Sequence, residues 1–372
     1  MDGVLSGEKV LVSRPEAAKL TLSLEEAAFL LDTGRIIIKT EKDTELTFEE
    51  FLKHALEINP NFGARYIVYK DLKERGYAVR VGEAYFLLYP RGTGSESGSG
   101  SESESESGAK SKPARYFIRI SSEREILSVR DMAALLVLSH NMRKGLIIAV
   151  VDDESDITYY EVKEAKFDLD CAEERKQKRE AGRTKMRRAK TKAFLFGDRA
   201  VLSDKDLAVN LYKDGFYGNL TKENRLLLSL VETAYLIKNE LLVVVAAMGQ
   251  ELEQELSSEQ FIEHAATIES NFIDKYRVYD DLRVKGQIVK TGFKFGSHFR
   301  AYRALNQRHS PDLIHVLSDD HLFSMLELAR AVRLAHGVRK RMIFAFREKV
   351  REGKEEGVKS HIKYISIGRM KL

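Results

Sequence analysis

Ser23-Leu24-Glu25-Glu26-Ala27-Ala28-Phe29-Leu30 returns 206 residues later as Ser229-Leu230-Val231-Glu232-Thr233-Ala234-Tyr235-Leu236. Two more pairs follow in the same order. Tyr66-Ile67-Val68-Tyr69-Lys70-Asp71-Leu72-Lys73 matches Tyr276-Arg277-Val278-Tyr279-Asp280-Asp281-Leu282-Arg283. Leu138-Ser139-His140-Asn141-Met142-Arg143-Lys144 matches Leu334-Ala335-His336-Gly337-Val338-Arg339-Lys340. Three ordered anchors point to an internal duplication rather than to chance likeness among helices. Residues shared by the copies are then scaffold, and residues found in one copy only are the candidates for chemistry.

Working outward, each copy shows helical spacing (23–31 and 226–238) followed by a short β-like run (35–39 and 240–245). A second helix is predicted at 47–58 and 257–268, and a third ends before Gly76 and Gly286. Strands come next, then a long amphipathic helix (125–140 and 321–336) and an apolar strand (145–151 and 341–346). The expected fold is α+β: two tandem diverged units, each an N-terminal α/β lobe plus a C-terminal mixed-sheet lobe with one long helix. The corresponding divisions are 1–91, a Gly/Ser/Glu linker at 92–112, 113–171, a basic linker at 172–192, 193–290 and 291–372. The second copy has an extra opening from Lys192 to Asn219, containing Leu211-Tyr212-Lys213-Asp214-Gly215-Phe216-Tyr217-Gly218. The first copy has no clear counterpart and is expected to be truncated at its start.

With 372 residues, 43% of them hydrophobic, the chain can build more than one core. No apolar run approaches the ~20 residues that cross a bilayer. Met1-Asp2-Gly3-Val4 lacks the basic-then-apolar pattern of a secretory signal. The single cysteine, Cys171, cannot form an internal disulfide or a cysteine metal cluster and fits a reducing cytoplasm. Net charge is only +4, but its distribution is uneven: Arg175, Lys176, Lys178, Arg179, Arg183, Lys185, Arg187, Arg188, Lys190 and Lys192 share one segment with three glutamates. Such a run either grips phosphates or is a solvated linker.

The copies differ most around Phe293-Lys294-Phe295-Gly296-Ser297-His298-Phe299-Arg300-Ala301-Tyr302. Period-two reading makes this a half-buried strand, with Phe293, Phe295, Phe299 and Ala301 on one face and Lys294, His298, Arg300 and Tyr302 on the other. Its counterpart, Tyr85-Phe86-Leu87-Leu88-Tyr89, keeps the tyrosine and loses the basic neighbours. After Arg303, a short connection leads to Arg308-His309-Ser310-Pro311. From here the copies align without a gap at an offset of 196 residues, as from His140 to His336, which sets Pro113 opposite His309 and Val137 opposite Arg333. Gly337 is expected to stop the long helix in the left-handed conformation, as Asn141 does in the first copy. His298, His315, His321 and His336 read as surface or packing residues.

Here the residues become specific. Lys290-Thr291-Gly292-Phe293-Lys294-Phe295-Gly296-Ser297-His298-Phe299-Arg300-Ala301-Tyr302, then His309-Ser310, then Arg330-Ala331-Val332-Arg333-Leu334-Ala335 and Val338-Arg339-Lys340 resemble, in order and spacing, the catalytic subunit of the archaeal tRNA-splicing endonucleases. Counting the degenerate first copy, the resemblance covers nearly the whole chain, in a fused structural-plus-catalytic form. Pro311 departs from the acidic or small residue expected there. The resemblance implies excision of introns from precursor tRNA at bulge-helix-bulge motifs, without metal or cofactor, leaving a 2′,3′-cyclic phosphate and a 5′-hydroxyl. It maps the general base onto Tyr302, the general acid onto His309 and transition-state charge stabilisation onto Lys340. The chemistry suits those residue types. RNA supplies its own 2′-hydroxyl nucleophile, so the protein must remove one proton, donate another and balance charge at phosphorus. An imidazole ordinarily titrates near 6.5 and a phenol near 10, so the tyrosine needs cations beside it, for which Arg300 and Lys340 are placed.

The resemblance further implies base-stacking arginines, with Arg333 preferred to Arg330, and a homodimer that completes a set of two structural and two catalytic units. An acidic loop, Asp152-Asp153-Glu154-Ser155-Asp156, would dock into a basic cleft of the partner; its bland reading is a polar hairpin turn. Lys294 and Arg300, with Lys349, Lys354 and Lys359 of a long mixed loop, are the remaining candidates for RNA contact. A membrane is not expected among the partners. Two readings of other classes compete: a non-catalytic RNA-binding subunit, for which the Tyr302, His309 and Lys340 set would be dispensable, and a metal-dependent nuclease.

Overall fold

A computed structural model describes residues 2–14, 17–92, 112–167, 191–248, 251–351 and 358–372. The linker residues 93–111 and the basic stretch from 172 to 190 lie outside it.

The first helix of each copy begins where a capping box closes. Ser23 Oγ accepts the Glu26 N–H at 3.3 Å while the Glu26 carboxylate accepts the Ser23 N–H at 3.0 Å, and Ser229 and Glu232 repeat the pattern. Thr47 with Glu50 and Ser257 with Gln260 start the second helices in the same way. The resulting helices are Leu24–Asp32, Phe48–Ile58 and Phe62–Glu74 in the first copy, and Leu230–Lys238, Ser258–Ile268 and Phe272–Val284 in the second.

Each N-terminal lobe places helices on a mixed sheet. In the first the strand order is Ala17–Ser23, Lys9–Arg14, Asp2–Ser6, Ile37–Lys39. In the second it is Asn219–Leu220, Leu226–Ser229, Arg199–Leu202, Lys192–Phe196, Val243–Met248, Glu251–Leu256. The expectation of a truncated first copy is corrected by these sheets. The hairpin Asp2–Ser6 with Lys9–Arg14, whose first strand runs parallel to Ile37–Lys39, matches Lys192–Phe196 with Arg199–Leu202 beside Val243–Met248. What the first copy lacks, among the described residues, is a counterpart of the helix Lys205–Gly215 and the strand Asn219–Leu220. The hairpin was legible in the sequence, since Leu5-Ser6-Gly7-Glu8-Lys9 resembles Leu195-Phe196-Gly197-Asp198-Arg199, with a left-handed glycine at each turn.

The C-terminal lobes fuse into one ten-stranded sheet. Its order is Ile288–Thr291, Phe299–Tyr302, Asp312–Val316, Arg341–Arg351, Val358–Met370, Ile157–Glu164, Gly145–Val151, Tyr116–Ser122, Phe86–Leu88, Val79–Val81. The seam is the antiparallel pairing of Ile157–Glu164 with Val358–Met370, so each copy covers the other's exposed edge. The long helices Val129–Asn141 and Met325–Gly337 pack on this sheet. The short strands before them, Ile126–Ser128 and Leu322–Ser324, also pair across the seam. One core spans both copies: Phe117, Met132, Ile148, Tyr160 and Val162 pack with Phe323, Met325, Leu328, Met342, Phe344 and Ile367. At about 1.5–3 kcal/mol per large buried apolar side chain, the two C-terminal lobes stabilise one another.

Two local expectations are corrected. Gly337 is the last helical residue and not the left-handed one; Arg339 (φ 54°) takes that conformation, as Arg143 (φ 54°) does in the first copy. The Lys340 N–H reaches back to the Ala335 carbonyl at 2.9 Å, which closes the helix whatever side chain stands at 339. Phe293–Phe295 is not strand but a turn of 3-10 helix. A Cβ at Gly292 would lie 2.3 Å from Ser297 Oγ, and Gly296 has φ +60°, so these two glycines fold the segment back on itself. The strand begins at Phe299, and Phe293 is left 87% exposed.

Candidate active site

Strand register brings the sequence-selected residues to one end of the sheet. Ala301 pairs with Asp312, and Asp312 pairs with Arg341. One step further, Tyr302, Pro311 and Lys340 stand level on three adjacent strands, the outer two about 10 Å apart. Phe299, Ala301 and Ile343 face one core and Met342 faces the other. Alternation therefore sets Tyr302, Arg300 and Lys340 on the same face as Met342. His309 lies two residues before Pro311, exposed, in the connection that leads into this end.

Each member is held differently. Tyr302 is 6% exposed, its ring meeting Phe216 edge-on at 6.1 Å and 88°. Among the described residues none hydrogen-bonds its hydroxyl, and none bonds the His309 ring. Lys340 Nζ donates to the Ser310 carbonyl and, at 3.1 Å, to Ser310 Oγ, and lies 5.3 Å from the Phe295 ring centre. Ser310 is buried, so the residue after His309 is fixed by the lysine itself. Pro311 does not disturb the edge, because its carbonyl accepts the Arg341 N–H at 2.9 Å. Beside it Arg341 forms a two-pronged pair with buried Asp312 at 2.8 and 3.0 Å.

Arg300 joins the group. Its guanidinium carbon lies 5.8 Å from the Tyr302 ring centre, and its buried Nε has no hydrogen-bond partner among the described residues. Burial, with the Arg300 charge adding to it and Asp312 opposing, holds the Lys340 ammonium below the usual lysine range. Arg300 thus stands beside the buried Tyr302 ring and within electrostatic reach of Lys340, at the sheet end that the exposed His309 connection enters. That arrangement can move protons and hold an anion.

The other sequence-selected residues are more scattered. Lys294, Arg330 and Arg333 are exposed, and none hydrogen-bonds Tyr302, His309 or Lys340. Arg333 lies near the seam: burial raises the Tyr160 phenol, while Arg369 and then Arg333 pull it down. Lys354, and the side chains of Lys349 and Lys359, lie outside the described residues. The acidic loop is an exposed hairpin turn. Asp152 shapes it by accepting the Glu154 and Asp156 N–H groups at 3.1 and 2.8 Å, which leaves Asp153, Glu154 and Asp156 to solvent, with Arg124 on Asp153.

Sequence reasoning missed the pairing of His298 with His315, whose ring centres lie 4.5 Å apart. His298 Nδ1 accepts the Val316 N–H at 2.9 Å. Chiefly through burial, helped by His315 and Lys275, its pKa falls to about 4, and burial lowers His315 as well. The unfolded chain therefore binds more protons between about pH 4 and the ordinary 6.5. Stability is full above 6.5 and falls as the pH drops through that window, by about 1.4 kcal/mol per unit for His298. Urea midpoints at about pH 7.5 and about pH 5 check this: the wild type is expected to lose more between them than His298→Gln. Equal losses would contradict the assignment. The signal was available, since period two sets His298 and His315 beside each other once the strands are paired.

Comparison with known proteins agrees with the duplication. The tRNA intron endonuclease catalytic C-terminal domain matches residues 62–159 and again 272–355, and the tRNA intron endonuclease N-terminal domain matches 1–52 and again 191–256. A tRNA-splicing endonuclease of Methanosarcina barkeri is 40% identical over 363 residues, covering 96% of this chain and 92% of that protein. One of Methanosarcina acetivorans is 38% identical over 383 residues, covering 100% and 98%. A more distant one, from Haloarcula marismortui, is 33% identical and covers 88% and 84%. With both domains matched twice along its length, the chain belongs to the tRNA intron endonuclease family.

Proposed function

We propose that this chain is a tRNA-splicing endonuclease, a lyase that excises introns from precursor tRNA at bulge-helix-bulge motifs and leaves 2′,3′-cyclic phosphate and 5′-hydroxyl ends. The observation that carries the reading is the level alignment of Tyr302, the His309-Ser310-Pro311 segment and Lys340 at one sheet end, in the copy that also has Arg300. Tyr302, entering as the phenolate, takes the proton of the 2′-hydroxyl, whose oxygen attacks the neighbouring phosphorus; the proton it gains and the one His309 gives up are afterwards exchanged with solvent. The P–O5′ bond breaks as His309 donates its proton to the departing oxygen. Lys340 balances the charge on the non-bridging oxygens, and the unpartnered Nε of Arg300 offers a further donor. Each step exchanges one proton between the RNA and one side chain, so the reaction needs no co-reactant.

Arg333 and Arg330 are read as base-stacking residues, Lys294, Lys349, Lys354 and Lys359 as backbone contacts, and the 152–156 loop as the element that docks onto a second copy in a homodimer. Support for the last comes from the loop itself, an exposed acidic turn in which Asp153, Glu154 and Asp156 lie at the surface. The test is cleavage of one precursor tRNA in two forms, with its bulges intact and with the bulged nucleotides paired. Intron release is expected from the first alone, and equal cutting of both would overturn the reading.

A further inference from the structure

Both copies keep a tyrosine at the end of the same strand, Tyr89 and Tyr302, yet their surroundings differ. Paired Leu202 and Leu226 are separated by residues 203–225, where their first-copy counterparts, paired Val12 and Leu20, are separated only by residues 13–19. The added segment contains Gly215-Phe216-Tyr217-Gly218, and its Phe216 is the ring that meets Tyr302. Tyr89 is only half-buried and, among the described residues, meets no second ring.

Phe216 is held by an unusual number of fixed points. It follows helix Lys205–Gly215 in the left-handed conformation, φ 54°, which a bulky side chain rarely adopts. Fully buried Arg283 donates to the Gly215 carbonyl at 2.9 Å and lies 4.4 Å from the Tyr217 ring centre. On the other side, buried Glu232 accepts the Gly218 N–H at 2.9 Å, and Lys290 Nζ donates to the Gly218 carbonyl. The Lys290 ammonium lies 4.5 Å from the Phe216 ring centre and 4.0 Å from Glu232. A Cβ at Gly218 would come within 2.5 Å of the Leu227 carbonyl, so the backbone approach needs glycine. Two of the three fixing residues differ in the first copy, where Lys290 is matched by exposed Arg80 and Arg283 by Lys73, while Glu232 is matched by Glu26.

We propose that the 203–225 segment, which only the second copy has, is a clamp whose Phe216 positions the Tyr302 hydroxyl for proton abstraction, with Lys290, Glu232 and Arg283 holding Phe216 in place. An edge-to-face ring contact restricts rotation of the tyrosine about its side-chain bonds, and a base that swings by an ångström loses much of its efficiency. Phe216 touches no reacting atom and is a positioning residue. The inference rests on the reading of Tyr302 as the base.

The test is single-turnover cleavage of a bulge-helix-bulge RNA by the full-length chain as wild type, Phe216→Asn, Phe216→Leu, Phe216→Tyr, Tyr302→Phe and Phe216→Asn with Tyr302→Phe. Asn suits the left-handed backbone and Leu suits the packing, so one remains informative if the other does not fold. Loss of the ring is expected to slow cleavage about tenfold, with RNA affinity changed less than about twofold; Phe216→Tyr restores the rate. In the Tyr302→Phe background, Phe216→Asn is expected to cost nothing more, because the two act as one unit. Wild-type rates for both Asn and Leu variants, or the same tenfold loss without the Tyr302 hydroxyl, would overturn the clamp and leave the reading of Tyr302 intact. Wild-type cleavage by Tyr302→Phe would instead remove the base and the clamp together.

Discussion

His309→Ala is expected to cut precursor RNA about 10²–10⁴-fold more slowly than the wild type while binding it as tightly. The argument is local. His309 is exposed, in a connection between strands, and among the described residues nothing hydrogen-bonds its ring, so its removal leaves the fold unchanged. What is lost is the proton for the departing 5′ oxygen, which leaves poorly as an alkoxide. His298 cannot take over. It lies just before the strand, four residues from Tyr302 and about 13 Å away if the chain stays extended. Its Nδ1 is engaged by Val316 and its pKa is lowered to about 4, which keeps the ring neutral at neutral pH. Rates under single-turnover conditions with affinities from filter binding check this. Undiminished cleavage by His309→Ala would place the acid elsewhere.

Lys340→Met is the second large effect: a fall of about 10²–10³ in the cleavage rate with little change in affinity, the scale on which removal of one charge-stabilising donor acts. Methionine keeps an unbranched stem of similar length and removes the ammonium, which lies 5.3 Å from the Phe295 ring centre. The Ser310 carbonyl and hydroxyl lose their donor, so the His309 connection loosens as well, and the two effects must be separated. Lys340→Arg does so. It keeps the charge and a donor for Ser310 but changes their geometry, and is expected to recover part of the rate. Cleavage by Lys340→Met within about threefold of wild type would remove Lys340 from the chemistry.

Much of this was legible in the sequence for identifiable reasons. The duplication and the main helices follow from short-range patterns, such as Ser229 with Glu232 or the apolar stripe of Met325–Gly337, whereas Leu226–Ser229, Ile126–Ser128 and Leu322–Ser324, read as the starts of helices, are strands that pair with other strands. The convergence of Tyr302, His309 and Lys340 was legible only through family order, since nothing local says that three strands will share a level. The failures are backbone-driven. Period two looked convincing across 293–302, but Gly292 and Gly296 turn the chain before the strand begins. Gly337 looked like the helix stop, but the reversal falls at Arg339. The paired histidines and the Phe216 contact depend on long-range register and on a segment that only one copy has, and a single chain read in order carries neither.

The most direct test of the account is the chemistry of the product ends after cleavage of a precursor tRNA in excess EDTA. The account predicts full activity, with 3′ fragments that accept a 5′ phosphate from a kinase without prior dephosphorylation and 5′ fragments whose terminal phosphate resists phosphatase until the cyclic ester is opened by acid. Activity lost in EDTA and restored by Mg²⁺, or products with 5′-phosphate and 3′-hydroxyl ends, would contradict it.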